Sequence, residues 1–483
     1  MNGLTRRNCV VTVLGMSFVW ILFKLFYPYA DYFTDSYSYI QAAAHHDLID
    51  FRPIGYSIFL RLVHALSASD TFLVTVQYVL VQLASLSLLI KLQRLCRPAE
   101  WVSRLILVFI VFNPAIPYTC NYVSSDALFI ALSLLWFDLL IDLVLRPSRG
   151  RLVLQLLLLA CIFNIRYVAL YYPAVAAIAF FLMRKDWLFK LVGIGASVAV
   201  VGIGTMAVKS ITREQTGAAI FSAFSGWQIA NNALHLYPYI PVDTIGMPSA
   251  DSRQLVQYVS AYFDSAAPAL EKRGPISTTG YMWEHSSPLH QYMAVYQKQH
   301  SLSYFTAWNR VGVVFTEYGY HLVRKHPLAF GRYYIWPSLK SYFYTPLDVY
   351  AIYNEGHMEV DPVAQHWFGY KSTRVRVSSA SFQGSLLAPM PLLYFMLNIA
   401  FVIATGLFLK EPALRERNPA FTLCLRLAAA YLLANAAFCV FASPTVLRYQ
   451  VLPVIILFVF TVYAIHFVTC RYGDQSITRQ RRA

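Results

Sequence analysis

Apolar positions dominate long stretches of this chain, and polar or charged residues gather at their ends. Hydropathy, broken by turns and charges, predicts ten spans: about 8–27, 70–92, 102–119, 124–145, 152–165, 167–183, 187–209, 388–409, 420–441 and 446–469. About 20 mostly apolar residues suffice to cross a hydrocarbon core. The fifth and sixth are short and read as one bent hairpin through Asn164-Ile165-Arg166. Between the spans lie two longer connections, a first loop of about 28–69 and a segment of about 210–387. The first loop is partly apolar and reads as two helices along an interface, Tyr37–His45 and Ile54–Leu66. The longer segment carries Trp227, Trp283, Trp308, Trp336 and Trp367. It has no clean alternation, so mainly helices are expected there, and its aromatic content argues against a disordered loop. The pattern predicts an all-α integral membrane protein: an N-terminal membrane module over 1–209, an extracytoplasmic segment over 210–387, and a C-terminal membrane module over 388–483.

Composition strengthens the membrane assignment. Of 483 residues, 58% are hydrophobic and only 13% charged, outside the soluble globular class. The formal charge of +15 sits in clusters at the ends of apolar runs, the pattern of topology signals and headgroup contact, with no groove-binding motif to suggest nucleic acid. The clusters Arg6/Arg7, Lys91/Arg94/Arg97/Arg104, Arg146/Arg149/Arg151, Arg184/Lys185/Lys190, Lys410/Arg415/Arg417 and Arg471/Arg479/Arg481/Arg482 fall on every second boundary. The positive-inside rule then places all six, and both termini, in the cytoplasm. No small-x-small site follows the first apolar run, which reads as a retained signal anchor. Seven scattered cysteines without a CxxC pair argue against a disulfide framework or a zinc-thiolate site. Histidines are numerous outside the spans, but their spacing, His45-His46 included, defines no metal trio. Neither a phosphate-cradling Gly-rich loop nor a G-x-S-x-G elbow occurs.

Candidate chemistry concentrates at the outer ends of the spans. The first loop contains Asp31-Tyr-Phe-Thr-Asp35-Ser-Tyr-Ser-Tyr39, followed by Arg52-Pro-Ile-Gly-Tyr56. A carboxylate at the membrane surface is placed to act as a base on a substrate arriving from outside, although Asp35 also suits a helix cap. The turn from Asn113 to Asp126 holds two prolines in a polar cluster. Broken backbone at such depth needs protein or a wet cavity around it, so Asp126 could line the same space as Asp35, or Ser125 and Asp126 could cap the next helix. Arg166 and Arg448 depart from the positive-inside pattern. Arginines there call for an acidic partner or a bound phosphate, unless they snorkel to the headgroups. Lys24 is similarly placed.

These residues, in their order and sidedness, resemble the polytopic GT-C glycosyltransferases, which use polyprenyl-phosphate sugar donors; dolichyl-phosphate-mannose and lipid A aminoarabinose transferases are members. The resemblance rests on Asp35-Ser-Tyr-Ser-Tyr39 with Ala42-Ala43, on Arg52-Pro-Ile-Gly-Tyr56, on Ser125-Asp126, and on Arg448-Tyr449 with Pro453. It implies inverting transfer of a sugar to a glycan, lipid or protein acceptor on the extracytoplasmic face. Asp35, or Asp31 in its place, would be the base, with Asp126 as a second catalytic carboxylate. The family often has Glu at that second position, one methylene longer. Arg166, Arg448 and Lys24 would hold the donor phosphate, while Tyr37, Tyr39, Arg52, Tyr56 and Tyr449 would contact substrate. No cofactor is required, although some relatives use a divalent metal. The implied location is a bacterial inner (cytoplasmic) membrane. Competing expectations are a surface-polysaccharide polymerase or ligase, a lipid-linked glycan transporter or flippase, and a scaffold without chemistry.

Overall fold

The computed structural model describes residues 6–242, 246–273 and 279–480. Among these residues the fold is built of helices, and extended pairing is confined to two isolated bridges, Asp31 with Tyr122 and Glu359 with Arg374. Among the described residues, seven helices are long and apolar enough to cross a membrane: Asp70–Cys96, Glu100–Asn121, Ser125–Leu145, Trp187–Thr216, Phe382–Lys410, Pro419–Ala442 and Leu447–Arg471. The protein is therefore a multi-pass membrane protein. The other three expected spans are helical as well. The first runs Arg6–Phe26 over 21 residues, while Arg149–Ile165, with 17 residues, and Tyr167–Leu182 are shorter. The break between the last two falls where the sequence placed the hairpin: Arg166 is extended, and Pro173 sits in the first turn of the helix that follows.

Helix starts follow capping chemistry. Ser69, Ser124, Ser148 and Asp186 each accept a backbone N–H from the first turn of the helix they precede, satisfying donors that a helix cannot pair itself. Burial then sorts the spans. The apolar stretch of the final helix is 83% buried and that of Trp187–Thr216 only 17% buried. The first is thus the axis of the bundle and the second a peripheral helix. Ile203 and Met206 on the peripheral helix are exposed, which in a protein of this composition is a lipid-facing surface.

The segment between Thr216 and Phe382 lies over one end of the bundle, here termed the covered end. It divides in two. Helices Ser225–Leu234, Gly280–Trp283, Pro288–Gln299 and Tyr304–Lys325, with part of Ala250–Arg273, enclose their own core around Trp227, Trp308, Phe315 and Tyr318. The later portion instead contributes Tyr350, Tyr353, Ala364 and Phe368 to the main core, against the first loop. The first loop forms the two expected short helices, Thr34–His45 and Gly55–His64. Helix Gly55–His64 has no room for a side chain at its first residue, where a Cβ would collide with the Asn164 carbonyl. The described members of the basic clusters from Arg94 to Arg417 all stand at the opposite end of the bundle, while Arg481 and Arg482 lie outside the described residues.

Candidate functional site: a charged cavity at the covered end

The first loop is fixed by its own backbone. Asp31 N–H donates to the Asn121 carbonyl at 2.8 Å, and Val123 N–H donates to the Asp31 carbonyl at 3.0 Å. The Asp31 carboxylate is buried and accepts backbone N–H groups of Tyr32 and Asn354, both at 2.8 Å. Burial pushes its pKa up to about 7, although the Asn354 and Tyr32 N–H groups pull it back. Lys24 donates to Asn121 Oδ1 at 3.0 Å. These two residues anchor the loop to the turn before Ser125.

Helix Thr34–His45 starts after the extended Phe33, with Ser36 Oγ accepting the Phe33 N–H. Asp35 and Tyr39 are four residues apart and share one face; Tyr37 lies on another and stacks on Tyr32 at 5.9 Å. Asp35 is not the cap. Its Oδ1 accepts from Arg52, and its Oδ2 accepts from Arg448 Nη1 at 3.3 Å. Burial by itself would raise its pKa, but the guanidiniums of Arg52 and Arg448 outweigh it and hold the carboxylate below its ordinary value. Arg52 also donates to Ser38 Oγ at 3.0 Å.

A second ion pair faces the first. Asp126, in the first turn of Ser125–Leu145, accepts from Arg166 and from Ser124 Oγ at 3.0 Å. The cap of this helix is Ser124, so the Asp126 carboxylate is turned to a different partner. With side-chain exposures of 13% for Arg166 and 4% for Asp126, removing one partner would strand a buried charge, at a cost of about 3–5 kcal/mol. Tyr39 Oη and Ser125 Oγ are 2.9 Å apart. Tyr449 connects the two pairs: the Arg166 guanidinium lies 4.3 Å from its ring centroid and that of Arg448 lies 4.8 Å away. Phe33 carries the Arg448 guanidinium as well, at 4.7 Å.

Asp35, Tyr39, Arg52, Asp126, Arg166, Arg448 and Tyr449 all line one cavity of about 470 Å³. They come from the first loop, the Ser125 helix, the Asn164–Arg166 break and the start of the final helix. Lys24, Asp31, Tyr37 and Tyr56 stand away from it; Tyr56 is fully buried and donates to Gln77 Oε1 at 2.8 Å. The cavity also has lining residues that sequence reasoning missed. Asp348 is exposed on its wall, with a left-handed backbone (φ 54°). Phe224, Gln228 and Asn232 close it together with Trp283, one of the tryptophans noted in the long segment. Asp348, Phe224, Gln228 and Asn232 carry no local signal: each belongs to the long segment and reaches the site only through packing.

Three carboxylates (Asp35, Asp126 and Asp348) and three guanidiniums in one enclosure can bind an anion, take up a proton and stabilise a departing negative charge. Among the described residues, no three His, Cys, Asp or Glu side chains converge to hold a metal ion. Comparison with family models, with curated proteins and with solved structures returns no match.

Proposed function

We propose that this protein is a membrane glycosyltransferase of the GT-C kind. It would move a sugar from a polyprenyl-phosphate donor to an acceptor at the covered end, which faces away from the cytoplasm. The observation that carries this reading is the convergence of Asp35 and Asp126 with Arg52, Arg166 and Arg448 in one cavity at the end of a lipid-embedded bundle. A lipid-linked phosphate presents its sugar at that depth, and arginine forks match phosphate oxygens. In this reading all ten apolar segments embed in the bilayer, and the basic end is cytoplasmic.

The ion pairs give the reaction an order. While Arg448 and Arg52 hold Asp35, its carboxylate is a weak base. When the donor phosphate takes a share of Arg448, Asp35 loses part of that stabilisation and its basicity rises. The acceptor hydroxyl then gives its proton to Asp35 as its oxygen bonds to the anomeric carbon from the face opposite the leaving group. The bond from that carbon to the phosphate oxygen breaks, and its electron pair leaves on the lipid phosphate, where Arg448 and Arg166 offset the charge. Configuration at the anomeric carbon inverts. Asp126 would keep Arg166 aimed into the cavity.

The test is turnover of polyprenyl-phosphate-linked sugars in membranes holding wild type, Asp35→Asn or no protein, profiled by mass spectrometry. Wild type alone is expected to consume a donor. An Asn variant present at normal level and fully active would remove Asp35 from the mechanism, and no donor change in any sample would overturn the transferase reading. One observation favours transport as a second reading: Lys91 pairs with Asp138 and Asp142 between two spans near the basic end of the bundle, at 3.0 and 2.5 Å, and charges set between spans mark conduction paths. Lipid-linked glycan crossing proteoliposomes without sugar transfer would favour it.

A further inference from the structure

The upper wall of the cavity differs in chemistry from its floor. The floor holds the ion pairs, whereas the roof facing it offers neutral amides, hydroxyls and rings: Gln228, Asn232, Ser225, Thr279, Phe224 and Trp283. Three tryptophans meet at this roof, and their burial separates them by role. Trp227 and Trp308 are 0% and 3% exposed and stack at 3.8 Å. Their indole N–H groups donate to the Trp308 and Ala223 carbonyls, so this pair is core. Trp283 is 46% exposed at the cavity edge. It leans on Phe224 at 5.8 Å and on Trp308 at 6.5 Å. Behind Phe224, at 5.3 Å, lies the guanidinium of Arg52, which holds Asp35. One ring and one guanidinium therefore separate Trp283 from the proposed base.

Other tryptophans, such as Trp336, are as exposed as Trp283, but Trp283 stands at the edge of the charged cavity, where its uncovered face can be covered by a ligand. We propose that Trp283 is the stacking platform for a neutral saccharide, so that the acceptor is a carbohydrate; this rests on the transferase reading only in naming the saccharide an acceptor. A pyranose has an apolar C–H face that covers an indole and a rim of hydroxyls that both donate and accept. Gln228, whose Nε2 donates to the buried Asn232 at 2.8 Å, presents its carbonyl oxygen as an acceptor, and the exposed Ser225 adds a hydroxyl. A lipid tail would leave the Ser225 hydroxyl and the Gln228 carbonyl facing hydrocarbon.

The experiment is saturation-transfer NMR on the full-length protein in lipid nanodiscs, which avoid sugar detergents. The probes are neutral di- to tetrasaccharides of glucose, mannose, galactose and rhamnose. Wild type, Trp283→Phe, Trp283→Ala and Trp336→Ala are compared, the last being an exposed tryptophan (57%) that does not line the cavity. The expected result is saturable binding of at least one probe, kept by Trp283→Phe and Trp336→Ala, and weakened about tenfold or more by Trp283→Ala. Absence of binding by every probe overturns the platform, as does equal binding by Trp283→Ala. The arms keep the two readings apart. Saccharide binding lost with Trp283 in a protein that consumes no lipid-linked donor retains the platform and removes the transferase. Donor consumption that is unchanged in Trp283→Ala, without saccharide binding, removes only the platform.

Discussion

Asp35 and Asp31 are four residues apart in the first loop, and their surroundings drive them in opposite directions. Asp35 is partly buried, which taken alone would raise its pKa, but Arg52 and Arg448 more than compensate. Its folded-state value is depressed, so its contribution to stability is present above the ordinary value of 3.8 and is lost as pH falls through the folded one. In the proposed mechanism, donor binding draws Arg448 toward phosphate. The acid limb of kcat, which reports the complex, is then expected at higher pH than that of kcat/KM, which reports the free enzyme. Coincident limbs would mean that the phosphate does not compete for Arg448. Asp31 is the reverse case: burial raises it to about 7. A carboxylate with a raised folded-state value costs stability progressively as pH climbs from about 4 toward 7. Asp31→Asn keeps an oxygen for the Tyr32 and Asn354 N–H groups and removes the charge. It should leave stability near pH 4 almost unchanged and add about 1–3 kcal/mol at pH 8, measured as a shift in thermal midpoint in nanodiscs. A variant that is destabilised more at pH 8 than at pH 4 would show that the charged form is needed.

Among the elements, the two helices of the first loop hold the site because their phases and close contacts leave them one seating. On Thr34–His45 the four-residue spacing of Asp35 and Tyr39 brings both to the cavity, while Tyr37, half a turn away, faces Tyr32. That much follows from periodicity once the cavity face is known; the sequence alone does not say which face that is. Helix Gly55–His64 abuts the break at Asn164–Arg166, where the Asn164 carbonyl fills the space beside Gly55. A methyl group there must push apart the loop that carries Arg52 and the turn that carries Arg166. Gly55→Ala is expected to lower stability by about 1–3 kcal/mol and to lower donor turnover beyond what the loss of folded protein accounts for. Unchanged turnover per folded molecule would separate the packing contact from site geometry.

For the whole molecule, the basic clusters gather at one end and the charged cavity at the other, with the bundle between. The orientation argued from the positive-inside rule can be measured on a cysteine-free background. Tyr239→Cys lies on the covered end with the side chain at 59% exposure, and Arg149→Cys is exposed at the opposite end. An impermeant maleimide should label the first in intact cells and the second only after permeabilisation; the converse pattern would invert the topology and place the cavity in the cytoplasm. The long segment between the modules shows what hydropathy misses. It reads as one unit of about 210–387, yet its earlier helices close a separate core and its later residues complete the main one. Tyr350, Tyr353 and Phe368 are ordinary aromatics in the sequence, and only contact with the first loop determines which core they join.

The sequence by itself determined the membrane class, the helix positions, the separation of basic ends from a polar end, and the short set of acidic and cationic residues out of place in apolar surroundings. Each is a local property: segment length against bilayer thickness, charge against the cost of desolvation, and residue type against backbone preference. Tertiary structure alone decided that Asp35 pairs with Arg52 and Arg448 and Asp126 with Arg166, that Tyr449 lies between two guanidiniums, and that Asp348 and Trp283 reach the same cavity. Those facts depend on distances between residues up to 413 positions apart. Such distances are set by how whole helices pack, and no window along the chain contains them.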